Sequence, residues 1–329
     1  MKKKAFITGI AGQDGSYLAE HLLENDYEVY GIIRRNSITE HQRLRLNHLD
    51  NKITIEYGDL LDISSLENKI IKIKPDEIYN LAAQSHVRVS FDIPHFTVMN
   101  NAIGALNLFE TVKNHSKNSK IYQASSSEMF GRCVDEDGFQ REQTRFEPTS
   151  PYGCSKVFCF NLTKHYRIAY NLFAVNGILF NHESPRRGSN FVTSKVVKTA
   201  VRIKNQLDDK LILGNLDSSR DWGHSKDYVK AMNLMMNHSK PDDFVVATGE
   251  TRTVRELCEY VFKKLDLNMD KYISQSEKFM RPEELRFLCG DSSKIKKELG
   301  WKPEYSFESM IDEMIEFWEK NHDKNVIEY

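Results

Sequence analysis

The sequence predicts an α/β protein that combines a doubly wound parallel sheet with a smaller C-terminal α/β lobe. Two observations lead to this class. In the first half of the chain, short apolar runs alternate with stretches of helical periodicity, which is the pattern of βαβ units. The chain also has 329 residues, 40% of them hydrophobic, and this length favours two lobes or one large α/β unit over a single small core.

The individual elements follow from periodicity. Apolar runs predict strands at residues 4–8, 27–33, 53–57, 77–81, 120–124, 174–180 and 243–247. Helical spacing predicts helices at 16–24, 63–72, 100–113, 156–170, 191–204, 228–238, 254–265 and 307–320. Residues 185–188, 215–225 and 274–283 are expected to be loops. Strands that alternate with helices pair in parallel, and the helices cover both faces of the sheet.

Composition argues against several classes of protein. The 46 Lys and Arg residues balance 47 Asp and Glu residues, so the charge gives no reason to bind nucleic acid or an anionic membrane. The mean hydropathy is −0.55 and no apolar run approaches the roughly 20 residues of a membrane helix. The first apolar run, residues 5–7, is too short for the core of a signal peptide, so we expect a cytoplasmic protein. Five cysteines without a CxxC pair predict reduced thiols and no metal site.

A glycine-rich turn indicates a dinucleotide site. Gly9, Gly12 and Gly15 follow the first predicted strand and open the first predicted helix. Residues without Cβ let backbone N–H groups approach a pyrophosphate at a helix N-terminus. A glycine turn between a strand and a helix indicates a Rossmann-type sheet. The second strand ends in Arg34 and Arg35 instead of an acid, which suits the 2′-phosphate of NADP. The plainer alternatives are a turn without a ligand and an exposed basic turn.

Two later strand ends fit the same cofactor. Asp59 and Leu60 follow the third strand, where they would reach the adenine edge, and the small polar stretch 80–86 follows the fourth. The predicted cofactor-binding residues are therefore Gly9, Gly12, Gln13, Asp14, Gly15, Arg34, Arg35, Asn36, Ser37, Asp59, Leu60, Leu81, Ala82, Ala83, Gln84 and Ser85.

Catalytic residues are predicted on the fifth strand and the helix that follows. Tyr152 and Lys156 lie four residues apart, so they share a helix face, and the Lys charge would help Tyr152 to act as a base. Hydroxyl residues including Ser126 end the fifth strand, and Glu128 adds a carboxylate that would exchange a proton with a substrate carbon. The plainer alternative for Glu128 is a surface acid that starts a helix.

Taken together, these residues resemble the GDP-mannose 4,6-dehydratase family of extended short-chain dehydrogenase/reductases. The resemblance rests on residues 7–18 (ITGIAGQDGSYL), 32–35, 78–87 (IYNLAAQSHV), 122–128 (YQASSSE), 150–153, 170–188, 214–217, 220–224, 281–282 and 290–291. It covers nearly the whole chain, and residues 176–188 with 220–228 are more specific than the glycine turn.

The resemblance implies an internal redox reaction. NADP takes a hydride from sugar C4 while Tyr152 removes the O4 proton, Glu128 then takes the C5 proton, water leaves from C6, and the hydride returns to C6. Lys156 would contact the nicotinamide ribose and Ser126 the C4 oxygen. The resemblance adds cofactor contacts at His182 and Arg187, and it gives the substrate contacts as Ser85, Ser126, Glu128, Tyr152, Asn181, Lys195, Arg220, Arg281 and Glu284. As plainer alternatives, Lys195 is a solvated helix lysine and His182 satisfies only a loop backbone.

Departures from the family pattern leave the sugar open. Ser126 stands where the family has Thr, Phe96 stands where it has a cofactor-contacting Tyr, and residues 263–279 look shorter than usual. GDP-N-acetylglucosamine or a GDP-heptose is therefore an alternative to GDP-mannose. A nucleotide-sugar 4-epimerase would share Tyr152 and Lys156 but would not need Glu128. A non-catalytic NADP-binding sensor would not need the three residues together.

The expected organisation is two-lobed and oligomeric. Residues 1–180 would form the NADP-binding domain, with later returns near 225–250, and residues 181–329 would form mainly the sugar-nucleotide lobe. The family also implies a homodimer or homotetramer, in which the arginine-containing stretch 35–49 reaches a neighbouring subunit.

Overall fold

The computed structural model describes residues 2–37, 43–285 and 287–322. Its strands, in chain order, are β1 (Lys4–Thr8), β2 (Glu28–Ile33), β3 (Thr54–Tyr57), β4 (Glu77–Asn80), β5 (Lys120–Ser126), β6 (Ala174–Leu179), β7 (Asn181–Glu183), β8 (Leu211–Leu213), β9 (Ser219–Arg220), β10 (Trp222–His224), β11 (Asp243–Val246), β12 (Arg252–Thr253) and β13 (Ile273–Gln275). Its helices are α1 (Gln13–Glu24), α2 (Ile63–Ile73), α3 (Val87–Asp92), α4 (Pro94–Val98), α5 (Gly104–His115), α6 (Pro151–Ala169), α7 (Val192–Lys204), α8 (Ser225–Asn237), α9 (Val254–Lys264), α10 (Met269–Tyr272), α11 (Ser293–Leu299) and α12 (Phe307–Glu319).

Seven parallel strands form the central sheet in the order β11-β6-β5-β4-β1-β2-β3. The strand order reverses between β1 and β4, which is the topological switch point of a doubly wound sheet. The central strands β4 and β6 are buried along their whole length because helices cover both faces. The predicted fold class is confirmed.

The hydrophobic core has separate parts on the two sides of the sheet and in the C-terminal region. One part packs α1 and α8 against the sheet, and it includes Leu18, Met232 and Tyr228. Another lies between α7, α9 and α12, away from the sheet. Strand β11 and helix α8 return to the sheet after the chain has passed residue 180. The division at residue 180 stays a prediction.

Several short elements were not predicted. The stretch 215–225, expected to be a loop, contains β9 and β10, and the stretch 274–283 begins inside β13. Strands of two or three residues are too short to show an alternating pattern, so periodicity does not reveal them. They matter for the site, since β7 pairs with β10 and β9 pairs with β12 beside the cleft.

Candidate active site

A cleft of about 1650 Å³ lies at the carboxyl ends of the central strands. Ligands of doubly wound sheets bind at this edge. All the residues predicted above for the cofactor, the substrate and catalysis line this cleft, except Gln84. The Gln84 side chain turns back to the backbone of His86, accepting from its N–H at 2.7 Å and donating to its carbonyl at 3.2 Å.

The glycine turn is built so closely that side chains would not fit. Gly9 has φ +71°, and a Cβ there would lie 2.9 Å from the backbone of Ala82. A Cβ at Gly15 would lie 2.3 Å from the Gly9 carbonyl oxygen. Gly12 caps α1, whose first backbone N–H groups lie at the cleft. The turn therefore presents a helix N-terminus that suits a pyrophosphate.

The first turn of α1 is hydrogen-bonded to the segment 180–184. The Gln13 amide donates to the His182 carbonyl at 3.1 Å and accepts from the Ser184 hydroxyl at 2.8 Å. His182 Nε2 lies 2.7 Å from Asp14 Oδ2, while Nδ1 lies 2.7 Å from the Phe180 carbonyl oxygen. Both ring nitrogens of His182 therefore contact protein atoms.

Asp14 and His182 form a buried pair of opposite charges. Burial alone would raise the pKa of Asp14, but the charge of His182 lowers it below its usual value. Burial would likewise lower the pKa of His182, but the charge of Asp14 raises it. The His182 ring also stacks on Tyr228, with 4.4 Å between ring centroids. The pair neutralises a carboxylate that would otherwise repel phosphate.

The end of β2 carries two exposed guanidinium groups at the edge of the cleft. Arg34 lies 5.8 Å from the centre of the Phe96 ring, and Arg35 lies 6.0 Å from the centre of the Tyr57 ring. Asn36 follows them and is also exposed, as is Ser37. Because the guanidinium groups of Arg34 and Arg35 are cationic and accessible, they can hold a phosphate.

The remaining predicted cofactor residues line the cleft from β3 and β4. The Asp59 carboxylate accepts from the Leu61 N–H at 2.9 Å, and Leu60 is buried. The Ala82 N–H donates to the Thr8 hydroxyl at 3.2 Å, which ties this loop to β1. Leu81, Ala83 and Ser85 complete this wall.

A buried chain of polar side chains crosses the sheet beneath the cleft. The Thr8 hydroxyl donates to Asn80 Oδ1 at 2.7 Å, and the Asn80 amide donates to Gln123 Oε1 at 2.8 Å. This chain joins β1, β4 and β5 at the switch point. Thr8 and Gln123 were not predicted as site residues, since each lies within an apolar strand pattern.

Tyr152 and Lys156 lie in the first turns of α6. The Ser150 hydroxyl caps this helix by accepting from the Gly153 N–H at 3.0 Å. Lys156 is buried, and its Nζ donates to the Ala124 carbonyl at 2.8 Å and lies 5.7 Å from the centre of the Tyr152 ring. The helix thus places the phenol and the ammonium on one face, beside the end of β5.

Ser126 and Glu128 lie where β5 gives way to a 3₁₀ turn, Ser127–Met129. The Ser126 hydroxyl accepts from the Glu128 N–H at 3.2 Å. The Glu128 side chain is only 7% exposed, and Arg281 Nη1 contacts its two oxygens at 3.1 and 3.5 Å. A carboxylate, two hydroxyl residues and an ammonium therefore meet at one wall of the cleft.

Further predicted substrate residues, from the second half of the chain, also line the cleft. Arg220 is buried and contacts the Glu284 carboxylate at 3.3 Å. Burial and the neighbouring charge of Arg281 lower the pKa of Arg220 to about 10. Asn181 lines the cleft from the start of β7.

Two further predicted cations make contacts within the protein. Lys195 Nζ donates to the Ile212 carbonyl at 2.6 Å and lies 3.8 Å from the centre of the Phe279 ring, and burial lowers its pKa. Arg187 pairs with the buried Glu183 at 3.0 Å. Both side chains also line the cleft, so they lie within reach of a ligand there.

Asn101 is a structural residue of the site that sequence reasoning missed. Its amide donates to the Gln84 carbonyl at 3.0 Å and to the Ser155 hydroxyl at 3.1 Å, and its Oδ1 accepts from the Gln84 N–H at 2.8 Å. It lies in a π-helical turn, Met99–Ile103, between α4 and α5. Periodicity gives no signal for a π turn, although such turns are frequent at functional sites.

Comparison with protein families identifies the chain. The model of a family described as GDP-mannose 4,6 dehydratase matches residues 6–314. The chain belongs to the GDP-mannose 4,6-dehydratase family. The predicted family resemblance is therefore confirmed.

Relatives of the same name align along most of their length. GDP-mannose 4,6 dehydratase 2 of Arabidopsis thaliana is 52% identical over 325 residues, which cover 96% of this chain and 86% of the relative. GDP-mannose 4,6 dehydratase of Homo sapiens is 44% identical over 336 residues, which cover 94% of this chain and 90% of the relative. This GDP-mannose 4,6-dehydratase family member is an enzyme, as predicted.

Two solved structures with bound nicotinamide cofactors share the fold. A dTDP-glucose 4,6-dehydratase from Bacillus anthracis in complex with NAD has a TM-score of 0.85 and 22% identity, with 98% of each chain covered. The RMD protein from Pseudomonas aeruginosa in complex with NADPH has a TM-score of 0.80 and 23% identity, with 97% of this chain and 100% of that chain covered. At these identities the likeness shows the α/β fold of the dehydratase family member and no more.

Two features are absent from the described residues of this family member. No helix in residues 2–37, 43–285 and 287–322 is long and apolar enough to cross a membrane. Within the same part of the chain, no group of three or more His, Cys, Asp or Glu side chains is arranged to hold a metal ion.

Proposed function

We propose that this chain catalyses the 4,6-dehydration of GDP-mannose, giving GDP-4-keto-6-deoxy-mannose, with NADP as its cofactor. Family membership and the names of its relatives support the reaction and the substrate. The observation that carries the proposal is that Tyr152, Lys156 and Glu128 converge in one cleft with the glycine turn. A 4-epimerase would need no acid beside Tyr152, so the buried Glu128 favours dehydration.

The cleft fits a nicotinamide dinucleotide. The glycine turn leaves no room for side chains, and it exposes the N-terminus of α1. The structural neighbours bind NAD or NADPH, which supports a nicotinamide cofactor. The exposed Arg34 and Arg35 support NADP in particular, because guanidinium groups suit a 2′-phosphate. When bound, this cofactor supplies the hydride acceptor and donor that an internal redox reaction needs.

Tyr152 would take the proton from the sugar O4, because its phenol lies on the helix face beside Lys156. The Lys156 ammonium is fixed by the Ala124 carbonyl, so its charge stays beside the phenol ring of Tyr152. The hydroxyl of Ser126 would hold the C4 oxygen from the end of β5. A fixed ammonium, a phenol and a hydroxyl are sufficient to orient and deprotonate a secondary alcohol.

Glu128 would take the C5 proton once C4 is a ketone, and it would return a proton to the departing C6 hydroxyl. The carboxylate is largely buried but lines the cleft, so a sugar bound there would be within its reach. Arg220 and Arg281 would bind the diphosphate, because two neighbouring guanidinium groups suit its oxygens, and Glu284 pairs with Arg220. Ser85, Asn181 and Lys195 would contact other parts of the substrate.

Mass spectrometry of the purified enzyme with GDP-mannose tests the proposal. Loss of one water, together with an unchanged cofactor after many turnovers, is the expected result. A parallel incubation with GDP-N-acetylglucosamine tests whether Ser126 and Phe96, which depart from the family pattern, alter sugar choice. Loss of water only from the acetamido sugar would reassign the substrate, and an inverted C4 without water loss would indicate an epimerase.

We also propose that the enzyme is a homodimer or homotetramer. Exposed apolar side chains on α6 support this proposal, since Ile168 is 79% exposed and Phe158 is 42% exposed. Of the stretch 35–49, implicated above in subunit contact, residues 38–42 lie outside the described residues. Light scattering at micromolar concentration that shows only a monomer would contradict the proposal. A cytoplasmic location stays a prediction.

A further inference from the structure

We propose that Arg281 is a positioning residue that orients the proton acceptor Glu128 and joins it to the diphosphate site of the substrate. The inference rests on the proposed function and deepens it, because it gives one residue a role at both ends of the substrate. Binding of the nucleotide would then set the geometry of the base that acts on the sugar.

The contact between the two residues is long-range in sequence and close in space. Arg281 Nη1 lies 3.1 Å from Glu128 Oε1 and 3.5 Å from Oε2, although 153 residues separate them. Both contacts come from Nη1, so Nε and Nη2 remain as donors for a second anion. The Arg281 side chain is 22% exposed and lines the cleft, so those donors are accessible to a ligand.

The neighbouring guanidinium groups of Arg281 and Arg220 match a diphosphate as that second anion. Arg281 and the buried Arg220 repel each other, and the carboxylates of Glu128 and Glu284 offset the repulsion. The four side chains together carry no net charge. Two guanidinium groups in one cleft match the oxygens of a diphosphate, which adds negative charge where the arginines can accept it.

The position of Glu128 explains why it needs such support. It follows the last residues of β5 in a single 3₁₀ turn, and the Ser126 hydroxyl contacts only its backbone N–H. Apart from Arg281, no described residue makes a hydrogen bond with the Glu128 carboxylate. Removing Arg281 would let the side chain rotate, and a shift of about 1 Å at a catalytic group costs about 100-fold in rate.

If Arg281 has this role, loss of Arg281 and loss of Arg220 should affect different steps. Arg220 contacts Glu284 but makes no hydrogen bond with Glu128 among the residues described, so its loss would weaken binding of the nucleotide without releasing the Glu128 side chain. Loss of Arg281 would weaken binding and also slow removal of the C5 proton. Binding of the nucleotide would thus hold Glu128 in the orientation that removes the C5 proton. Part of the binding energy would then stabilise the transition state more than the bound substrate.

The test compares Arg281→Met, Arg281→Lys and Arg220→Met in the full-length enzyme with GDP-mannose in deuterated water. NADPH absorbance reports oxidation at C4, and deuterium at C5 reports proton removal. We expect Arg281→Met to slow C5 exchange about 100-fold while NADPH still forms. Added guanidinium ion should restore part of the exchange in that variant, and Arg281→Lys should keep part of it. Arg220→Met should raise KM and leave the ratio of exchange to oxidation as in the wild type.

Glu283→Gln is the matched control, because it removes an ion pair with Arg132 in the same segment without contacting Glu128. Binding of NADPH and circular dichroism confirm that each variant is folded. If Arg281→Met raises KM but leaves the exchange ratio unchanged, Arg281 binds substrate only and the inference is wrong. If the wild type does not release water from GDP-mannose, the proposed function itself fails, and the inference fails with it.

Discussion

Replacing Gly15 with alanine should damage the dinucleotide site through backbone geometry alone. A Cβ at Gly15 would lie 2.3 Å from the Gly9 carbonyl oxygen, and 2.6 and 2.8 Å from the Ile10 Cα and carbonyl oxygen. Ordinary van der Waals contact begins at 3.4 Å. All three neighbours are backbone atoms, so no side-chain rotation relieves the overlap. The turn and α1 would have to move apart.

The magnitude follows from two opposing effects. Alanine in place of glycine within a helix favours folding by about 1 kcal/mol. Overpacking costs about 1–3 kcal/mol or more, and an overlap of roughly 1 Å with immobile atoms belongs at the upper end. We therefore expect a net loss of about 2 kcal/mol in the free energy of unfolding. Hydrogen bonds to a charged group are worth about 1.5–3 kcal/mol each, so displacing one N–H from the pyrophosphate weakens binding about 10- to 100-fold.

The assay is fluorescence titration with NADPH, together with a thermal melt of the protein without added ligand. Gly12→Ala is the comparison for stability, because its Cβ would meet a single atom, the Gly9 carbonyl oxygen, at 3.1 Å. That overlap needs a shift of only a few tenths of an ångström, so its melting temperature should stay close to that of the wild type. A Gly15→Ala variant with the same melting temperature and the same affinity for NADPH as the wild type would refute the reasoning.

Three further substitutions test the catalytic wall and the buried pair. Tyr152→Phe should lower kcat by about 100- to 10,000-fold by removing the base, and persistent C4 oxidation, followed by NADPH absorbance, would count against it. Glu128→Gln should allow C4 oxidation but stop water loss, leaving NADPH trapped, and normal turnover would exclude its role. For His182→Gln, the comparison is the melting temperature against pH. The Asp14 charge raises the pKa of His182 against the effects of burial and of Arg187. The melting temperature of the wild type should therefore exceed that of the variant by the full amount below pH 6.5. This difference should shrink as the pH rises through the raised pKa of His182. A constant difference across that range would show that the pair does not titrate.

Periodicity was sufficient for the central sheet because each of its strands has four to seven residues and stands between helical or turn segments. The bounds predicted for β1 match the structure, residues 4–8. The first helix begins at Gln13 instead of residue 16, because Gly15 and its polar neighbours have weak helix propensity and tertiary contacts hold them in the first turn. The short strands β9 and β10 follow from pairing with distant segments, which no local window contains.

In the site too, the sequence predicts contacts within a short motif but not contacts between distant segments. The motif around Tyr152 and the glycine turn place residues near one another along the chain, so spacing alone predicts their geometry. The contact between Arg281 and Glu128 joins segments far apart in sequence, and only the fold reveals it. His182 was predicted to contact the cofactor, and the structure shows both of its ring nitrogens bonded to protein atoms.

The segment 180–184 contacts two parts of the cleft. It bonds to Asp14 and Gln13 beside the glycine turn, and it includes Asn181, which also lines the cleft. Strand β7 also pairs with β10, two residues after Arg220. Because His182 belongs to β7 and contacts Gln13 and Asp14, a displacement of β7 would shift the partners of the first turn of α1. On the proposed function, this one element would fix the positions of cofactor and sugar relative to each other, as an oxidation and a reduction of the same sugar would require.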